Sequence, residues 1–558
     1  MTQRPSVLVL TALLIAADPG GAGAQEIVPT GDLPLTVAEA SGYTRTATYG
    51  DVLAWIDRLQ ALGAEMHVTT MGATTEGREI PLVILSRPLV ASPREAHRSG
   101  KPIIYLQGNI HAGEVEGKDA LLMLIRDLTL GDARELLDRV VLLIDPIYNA
   151  DGNEKWAPVE RNRRGQDGPE EVGIRYNGMG LDLNRDCMKA ESPEMRGSLE
   201  HVVNVWQPDL FMDLHTTNGS YHGYDLTYAP GLTPIGPGGP TRFAFQEMLP
   251  EISRRLDARG HKLFHYGNFS GGYPPTRWAT FGWHPRYASN YMGMRGMISI
   301  LSEAVSYRPF RTRLSATYWF VREIVDYAGR HGSRIRSITD AARQQAVQWG
   351  QEPSSAPEQG VRFEYASSGR VTALFEVMDP PPGEESRRGT RTGRIEETRV
   401  ELLNRFRSAE TRPYPAGYIV PAAYPEAVRN LLGHGITVEV LEGAWTGETQ
   451  IFRADSLAVA PRAYQGHRMI SVWGDYRSEE RTVPAGWYFV PAAQPLGPLA
   501  FALLEPEVED SLYAWNFFDR GLYEGRDAPV LRVMRVPFVS RSLVEERGKG
   551  SEGPGNRP

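Results

Sequence analysis

Short apolar runs alternate with segments of helical periodicity from about residue 100 onwards. Continuous apolar runs predict buried strands at residues 102–106, 140–144, 210–214 and 297–301. Apolar positions at helical spacing predict helices at residues 116–128, 194–205, 243–256 and 316–327. Strands that alternate with helices predict an α/β fold, in which helices cover the faces of a central sheet.

The pattern changes beyond about residue 350, where short segments rich in β-favouring residues lie close to turn signals. These segments are residues 371–377, 437–441, 450–452, 472–473 and 487–490. We therefore predict a mostly β second domain over residues 341–545, after a first domain over residues 25–340. Residues 546–558 are polar and have nothing to bury, so we predict a disordered tail.

The first 24 residues have the pattern of a signal peptide. Arg4 supplies a positive start, residues 7–17 form an apolar run, and Ala22-Gly23-Ala24 resembles a cleavage site. This run is shorter than the roughly twenty residues that a membrane-spanning helix needs. We predict cleavage before Gln25, no membrane span in the mature protein, and a secreted or periplasmic location. Export with a single cysteine, Cys187, favours a bacterial periplasm or exterior.

Composition narrows the range of functions. Hydrophobic residues make up 41% and charged residues 23% of the 558 positions, which excludes wholesale disorder and a multi-span membrane protein. The formal net charge of −8 argues against nucleic acid as a partner. One cysteine excludes an intrachain disulfide and any cysteine-based zinc or iron–sulfur site, so metal ligands must be histidine, aspartate or glutamate.

Two histidines and a glutamate follow predicted buried strands. His111 and Glu114 come shortly after the strand at residues 102–106, and His215 ends the strand at residues 210–214. Ligands of α/β sheets gather at the carboxyl ends of strands, so we expect these side chains to share a site. Two imidazoles, one carboxylate and an open position form the ligand set of a catalytic zinc ion. The chain has no His-Glu-x-x-His helix, so the ligands must come from separate strands and loops.

Five short motifs occur in an order that is typical of one enzyme family. They are His111-Ala112-Gly113-Glu114, Asn149-Ala150-Asp151-Gly152, Asp182-Leu183-Asn184-Arg185, Asp213-Leu214-His215-Thr216-Thr217 and Ile298-Ser299-Ile300-Leu301-Ser302-Glu303. In these motifs the chain resembles the zinc carboxypeptidases, the carboxypeptidase A-like metallopeptidases, over roughly residues 45–330. The resemblance implies a mixed central sheet with helices on both faces, one Zn²⁺ per chain, and His111, Glu114 and His215 as its ligands.

The resemblance also implies roles for residues around the metal. Glu303 corresponds to the general base that activates water and then protonates the leaving amine. Arg185, with Asn184 beside it, corresponds to the group that binds the substrate's free C-terminal carboxylate. Asp182 corresponds to the carboxylate that orients the first histidine ligand.

Two other family positions cannot be aligned uniquely. Arg164 is our first choice for the arginine that stabilises the oxyanion, and Arg161 and Arg163 stay open because the register of this loop is uncertain. Tyr287 and Tyr291 are both candidates for the tyrosine that covers the substrate. The residue at the base of the side-chain pocket is not identifiable, so the preferred C-terminal residue stays open.

The leading hypothesis is a secreted zinc metallocarboxypeptidase acting on peptides or peptide-like molecules with a free carboxylate. A second hypothesis keeps the zinc chemistry but makes the chain an amidase of cell-wall peptides or of N-acyl amino acids. A third hypothesis is a binding protein of the same fold that has lost turnover, although the intact set of His111, Glu114, His215 and Glu303 argues against it. The sequence does not predict the oligomeric state.

Overall fold

The computed structural model describes residues 33–217, 219–379 and 389–544. The predicted signal peptide and the predicted tail lie outside the described residues. Twelve strands precede the β-rich region: β1 His67–Ala73, β2 Glu79–Leu85, β3 Ile103–Gly108, β4 Val141–Asp145, β5 Ala157–Pro158, β6 Glu171–Val172, β7 Leu210–Thr217, β8 Leu226–Pro230, β9 Leu263–His265, β10 Asn268–Ser270, β11 Arg277–Ala279 and β12 Ile298–Val305.

Eight of these strands form one central sheet in the order β1-β2-β4-β3-β7-β12-β8-β9. The inner strands β4, β3, β7 and β12 are parallel neighbours, whereas β1, β2 and β8 pair antiparallel. The inner strands are buried along their whole length, which explains their continuous apolar runs. The predicted α/β fold with a mixed central sheet is therefore confirmed.

Helices cover both faces of this sheet. They are α1 Val37–Ala40, α2 Tyr49–Ala61, α3 Pro93–Ser99, α4 Glu116–Thr129, α5 Ala150–Asn153, α6 Val159–Asn162, α7 Pro193–Ser198, α8 Asn204–Trp206, α9 Gly239–Phe243, α10 Leu249–Asp257, α11 Ala288–Met294, α12 Phe310–Arg330 and α13 Gly332–Gln351. Ile104 of β3 packs in one core cluster with α2, α4, α10 and α12. Tyr105, the next residue, faces the other cluster with α7 and α11. None of the helices in the described residues is both long and apolar enough to cross a membrane.

The β-rich region contributes nine further strands and two helices. They are β13 Gln359–Asp379, β14 Thr390–Arg412, β15 Gly417–Val420, α14 Pro425–Gly433, β16 Glu439–Leu441, β17 Trp445–Val459, β18 Ile470–Val483, β19 Tyr488–Pro491, α15 Gly497–Leu504, β20 Arg526–Val533 and β21 Arg541–Leu543. Strands β15 to β21 form an antiparallel sheet in the order β18-β17-β20-β15-β19-β16-β21. The prediction of a mostly β second half is confirmed. The predicted boundary between residues 340 and 341 falls inside α13.

The long hairpin β13–β14 connects the two halves of the chain. Strand β14 pairs parallel to β11, which joins the hairpin to β10 and β11 in a four-stranded sheet. The core on the α7 and α11 face of the central sheet also continues into the β-rich half through Tyr414, Val428 and Phe501. The second half therefore packs directly against the elements that carry the predicted site.

Candidate active site

His111, Glu114 and His215 lie together at the carboxyl edge of the central sheet. Glu114 Oε1 is 3.1 Å from His111 Nδ1, and Glu114 Oε2 is 2.9 Å from His215 Nδ1. One ligand atom from each residue lies within 4.8 Å of the other two, and all three side chains are buried. Two imidazole nitrogens and a carboxylate oxygen, gathered around one point, fit a single Zn²⁺ ion.

The loop after β3 turns tightly to place the first two of these side chains. Asn109 has a φ of 67°, a left-handed conformation that asparagine tolerates. At Gly113 a Cβ atom would lie 2.5 Å from Arg163 Cγ and 3.0 Å from the Gly173 carbonyl oxygen. Only glycine fits at this position, and its absence of a side chain lets Arg163 approach the neighbouring Glu114.

The second nitrogen of each histidine ring faces an aspartate. His111 Nε2 lies 2.9 Å from Asp182 Oδ1, and His215 Nε2 lies 2.7 Å from Asp213 Oδ2. A carboxylate at Nε2 holds the ring proton there and leaves the Nδ1 lone pair directed at the cluster. Burial opposes the charged form of Asp182, yet His111 and the nearby arginines hold its pKa far below the usual range.

Glu303 is buried on β12, directly opposite His215 in the parallel register with β7. Burial raises the pKa of Glu303 to about 8; His215 opposes this rise and Glu114 adds to it. Glu114 behaves differently, because His111 and Arg163 overcome the effect of burial and hold its pKa well below the usual range. Two neighbouring carboxyl groups thus have different affinities for a proton, a feature of acid–base sites.

Three arginines of the loop after α5 occupy different places from those that spacing predicts. Arg164 does not line the cleft that contains the cluster, but lines a separate cavity with Gly165 and Tyr221. Arg161 is exposed on α6. Arg163 donates hydrogen bonds to Glu114 Oε1 at 2.9 Å and to the Thr216 carbonyl at 2.7 Å, so its guanidinium supports a ligand.

Arg175 lines the cleft together with Arg185, and no sequence motif singles it out. Its Nε donates to Asp182 Oδ2 at 2.8 Å, and its Nη1 lies 3.5 Å from Glu114 Oε1. Burial alone would lower the pKa of Arg175, but Asp182, Glu114 and Glu303 raise it, so the group stays charged. It lies in an irregular loop that lacks hydrophobic periodicity, and its only sequence signal is its position seven residues before Asp182.

Arg185, Asn184 and Tyr287 line another part of the same cleft. The Arg185 guanidinium stacks on the Tyr287 ring at 4.4 Å from the ring centroid, and its side chain is 20% exposed. Asn184 Oδ1 accepts the N–H of Ala288 at the start of α11, which fixes this loop. Tyr291 lies elsewhere: it is fully buried, and its hydroxyl is 2.6 Å from His434 Nδ1.

The cleft has a volume of about 210 Å³, and one part of its wall carries apolar side chains. Leu301 lies two residues before Glu303, so both side chains project from the same face of β12. Tyr266, Phe281 and Ser289 complete this part of the wall.

A turn from the β-rich half also reaches the site. Gln465, between β17 and β18, accepts the backbone N–H of Asp182 at 2.8 Å. His467 in the same turn lies 2.9 Å from Glu191, and the neighbouring Tyr464 ring stacks on Trp515. A contact between residues 283 positions apart carries no signal in a single sequence.

Comparison with known proteins agrees with the motifs and the geometry. A family model described as zinc carboxypeptidase matches residues 52–208. "Carboxypeptidase 2" of Trichophyton tonsurans is 24% identical over 486 residues, which cover 82% of this chain and 81% of that protein. These matches support the prediction that the chain is a metallopeptidase of the zinc carboxypeptidase type.

Two further carboxypeptidases match over shorter stretches. Human "Carboxypeptidase Z" is 30% identical over 175 residues, covering 30% of this chain and 24% of that protein. A crystal structure of a metallo-carboxypeptidase from Burkholderia cenocepacia is 20% identical, with a TM-score of 0.36, and the match covers 50% of this chain and 69% of that one. Unlike these two, the match to the Trichophyton protein extends over most of the chain.

Proposed function

We propose that the protein is a zinc-dependent carboxypeptidase that removes C-terminal residues from peptides. The observation that carries this proposal is the convergence of His111 Nδ1, His215 Nδ1 and the Glu114 carboxylate within 4.8 Å, beside a buried Glu303 and an arginine-lined cleft. A zinc ion held there supplies Lewis acidity to water and to the substrate carbonyl. The residues around it account for the remaining requirements of peptide hydrolysis.

Glu303 is the group proposed to move protons. Its burial and raised pKa allow it to bind and release a proton near neutral pH. It faces the cleft beside His215, so it can accept a proton from water and return it to the leaving amine. A neutral amine is a far better leaving group than an amide anion, which is why this second proton transfer is needed.

We assign the oxyanion role to Arg175 in place of Arg164. Arg175 lines the cleft with Glu303 and the proposed ligands, and Asp182 fixes its orientation. A charged guanidinium held in advance can stabilise the negative charge that develops on the scissile carbonyl. Arg164 lines another cavity, and Arg163 is already bonded to Glu114 and Thr216.

Arg185 is the proposed binding group for the substrate's terminal carboxylate. Its stacking on Tyr287 holds the planar guanidinium in place while its donors face the cleft. A fork of N–H donors suits a carboxylate better than a point charge does. Tyr287, rather than the buried Tyr291, is then the tyrosine next to the bound substrate.

The wall of the cleft favours an apolar C-terminal side chain. Leu301, Phe281 and Tyr266 supply apolar surface, and Ser289 is the small residue among them. The acidic residues that line this cleft in the described part of the chain are Glu114 and Glu303, and both are used in the proposed chemistry. A basic C-terminal side chain would therefore enter the apolar part of the cleft without a counter-ion.

Three further features belong to this proposal. The first 24 residues would direct export and would be removed by cleavage before Gln25. The N-terminal sequence of the exported protein would test this. Residues up to the end of α13 would form the catalytic domain, with the mostly β region as an accessory domain. The substrate would be a peptide, although cell-wall peptides and N-acyl amino acids share its free carboxylate and belong in the same test.

The deciding experiment measures zinc content and hydrolysis in one preparation. Wild-type protein should retain about one zinc per chain and shorten a peptide mixture stepwise from the C-terminus, and chelation should stop this. Glu303→Gln should keep zinc and lose several orders of magnitude in kcat, because it removes the proton acceptor without removing a ligand. His111→Ala should lose zinc, whereas the exposed control His201→Ala should keep it. Cleavage that persists without metal would contradict the proposal, and cleavage of muropeptides or acyl amino acids alone would favour the amidase hypothesis.

A further inference from the structure

A second cavity, of about 900 Å³, lies beside the cleft. We call it the hairpin cavity, because Phe375, Glu376 and Met378 of β13 form one of its walls. Its other walls come from loops at the carboxyl edge of the central sheet and from β10. Five aromatic side chains line it: Tyr221, Phe269, Tyr273, Tyr307 and Phe375. Its volume lies within the usual range of ligand pockets, roughly 300–1,000 Å³.

Three chain segments run from the cleft directly into the hairpin cavity. Thr217 lines the cleft and Gly219 lines the cavity, and Tyr266 and Asn268 repeat this relation on a second segment. On the third segment Glu303 lines the cleft and Ser306 lines the cavity. Positions two or three residues apart are at most about 10 Å apart. Arg185 and Tyr287 line only the cleft, so the cavity adjoins it on the Thr217 and Glu303 side.

The hairpin wall is held firmly in place. Leu374 N donates to the Tyr224 hydroxyl at 2.9 Å, and Met378 N donates to the Tyr273 hydroxyl at 2.9 Å. Glu376 N donates to the Tyr221 carbonyl at 3.2 Å. These bonds join the hairpin to loops of the catalytic half, so the cavity exists before any ligand binds.

Among the described residues that line this wall, the one acidic group is already paired. Arg391 binds the buried Glu376 carboxylate at 2.8 to 3.1 Å. The Arg391 guanidinium also lies 4.8 Å from the Tyr221 ring centroid and 4.4 Å from that of Tyr307. With Glu376 neutralised, the groups that a ligand can contact in the cavity are the aromatic rings, the exposed Arg164 and a few neutral polar side chains.

We propose that the hairpin cavity binds the residues of a peptide substrate that precede the scissile bond, with a preference for apolar and aromatic side chains. This inference rests on the proposed function. If Arg185 holds the terminal carboxylate of the substrate, the substrate peptide passes Glu303 and leaves the cleft on the side where the cavity begins. Hairpin β13–β14 then makes the enzyme selective for longer peptides. The hairpin lies outside residues 52–208, the part of the chain that matches the family model.

A series of N-acylated peptides tests this inference. All members end in the same two residues, and upstream phenylalanine or alanine residues extend them from two residues to five. In wild-type protein kcat/KM should rise at least tenfold from the dipeptide to the phenylalanine-extended pentapeptide. Ser270 is an exposed residue of β10 that lines the cavity, so Ser270→Trp fills part of the cavity. In this variant the kcat/KM of the pentapeptide divided by that of the dipeptide should fall close to one. Thr372→Trp, an exposed position of β13 outside the cavity, is the matched control and should keep the wild-type ratio.

Equal kcat/KM across the wild-type series, or an unchanged ratio in Ser270→Trp, would overturn the inference. Failure of the proposed function gives a different result, because wild-type protein would then cleave none of the peptides, the dipeptide included. Calorimetry of the same peptides on the Glu303→Gln protein tests the cavity without turnover. There the long peptide should bind at least tenfold more tightly than the short one, and equal affinities would also overturn the inference.

Discussion

Buried carboxylates prepare the two histidines for a cation. Glu114 lies between the two Nδ1 atoms, while Asp182 and Asp213 lie at the two Nε2 atoms. Burying three carboxylates around two imidazoles is costly unless positive charge is added. Arg163 pairs with Glu114 and Arg175 pairs with Asp182, and a divalent ion at the two Nδ1 atoms would add further positive charge. The same carboxylates fix the orientation of the two rings.

The first prediction at the residue scale concerns Arg175. We expect Arg175→Ala to lower kcat roughly 100- to 1,000-fold with a smaller change in KM, the usual effect of removing a donor to an oxyanion. Steady-state kinetics on one blocked dipeptide would measure this. Arg161→Ala, in the same loop region but exposed, should behave as wild type. A large loss of kcat in Arg161→Ala, together with normal activity in Arg175→Ala, would contradict this prediction. The oxyanion role would then belong to the arginines at positions 161–164.

A second residue-scale prediction separates Arg185 from the catalytic groups. Loss of a charge-assisted pair of hydrogen bonds costs about 1.5–3 kcal/mol, so Arg185→Ala should lower kcat/KM roughly 10- to 100-fold for substrates with a free C-terminus. Peptides with an amidated C-terminus, which are poor substrates already, should change little. Arg185→Lys restores the charge without the fork and should recover only part of the loss. Equal losses on free and amidated peptides would exclude carboxylate recognition.

Sequence reasoning reached those site residues that strands position. His111, Glu114, His215 and Glu303 end or follow buried strands, and a polar residue within a continuous apolar run is readily noticed. Arg175 and Gln465 lie in loops, where neither hydrophobic periodicity nor composition indicates which way a side chain points. The first choice of Arg164 depended on spacing alone, and in the loop it is the side chain of Arg163 that turns toward Glu114.

At the scale of elements, strands were easier to predict than helix continuity. The four inner strands were recognisable because burial on both faces requires apolar residues at every position. The predicted helix at residues 194–205 is instead α7, a π-helical turn at Leu199–Val203, and α8. Strand β1 and the long polar parts of β13 and β14 were not predicted, because exposed strands lack an apolar run. Strand β2 was not predicted either, although its residues from Ile80 to Leu85 are buried.

The turn between β17 and β18 gives an element-scale prediction. Gln465 has a φ of 52°, so Gln465→Gly removes backbone strain while it removes the acceptor for Asp182 N. Stability should stay within about 1 kcal/mol of wild type, because the relief of strain offsets the added entropy of the unfolded chain. Zinc should leave roughly tenfold faster in excess chelator, because Asp182 would hold His111 less firmly.

The control for this variant lies in the same turn. Tyr464→Phe keeps the ring that stacks on Trp515 and should retain zinc as wild type does. Unchanged zinc release in Gln465→Gly would show that the turn supports the fold only. Faster zinc release accompanied by an equally large loss of stability would lead to the same conclusion. A positioning role requires faster zinc release while the free energy of unfolding stays close to that of wild type.

At the scale of the whole molecule, the two halves share a buried interface that contains a histidine. His434 follows α14; its Nδ1 lies 2.6 Å from the Tyr291 hydroxyl, and its Nε2 lies 3.0 Å from the Met188 carbonyl. Burial lowers the pKa of His434 to about 3; the Met188 carbonyl opposes this shift and the nearby Arg295 adds to it. His434 is therefore neutral in the folded protein across the physiological range.

This pairing predicts a loss of stability in acid. Between the unfolded pKa of about 6.5 and the folded pKa, the unfolded chain binds a proton that the folded chain does not. The contribution of neutral His434 is thus complete above pH 6.5 and falls by about 1.4 kcal/mol for each pH unit below it. Denaturant unfolding of the zinc-loaded protein at pH 7, 6 and 5 would measure the slope. His434→Gln should be less stable at pH 7, but its stability should fall less steeply with acid than that of wild type.

The comparison between variants isolates this one histidine. Desolvation also lowers the pKa of the buried His222 to about 3 and that of the half-buried His265 to about 4, and zinc binding weakens in acid as well. These contributions are common to wild type and His434→Gln, so they cancel in the difference between the two slopes. His201→Gln, at an exposed position, should keep the wild-type slope. Parallel slopes for wild type and His434→Gln would show that the pKa of His434 is not lowered in the folded protein, and would contradict the prediction.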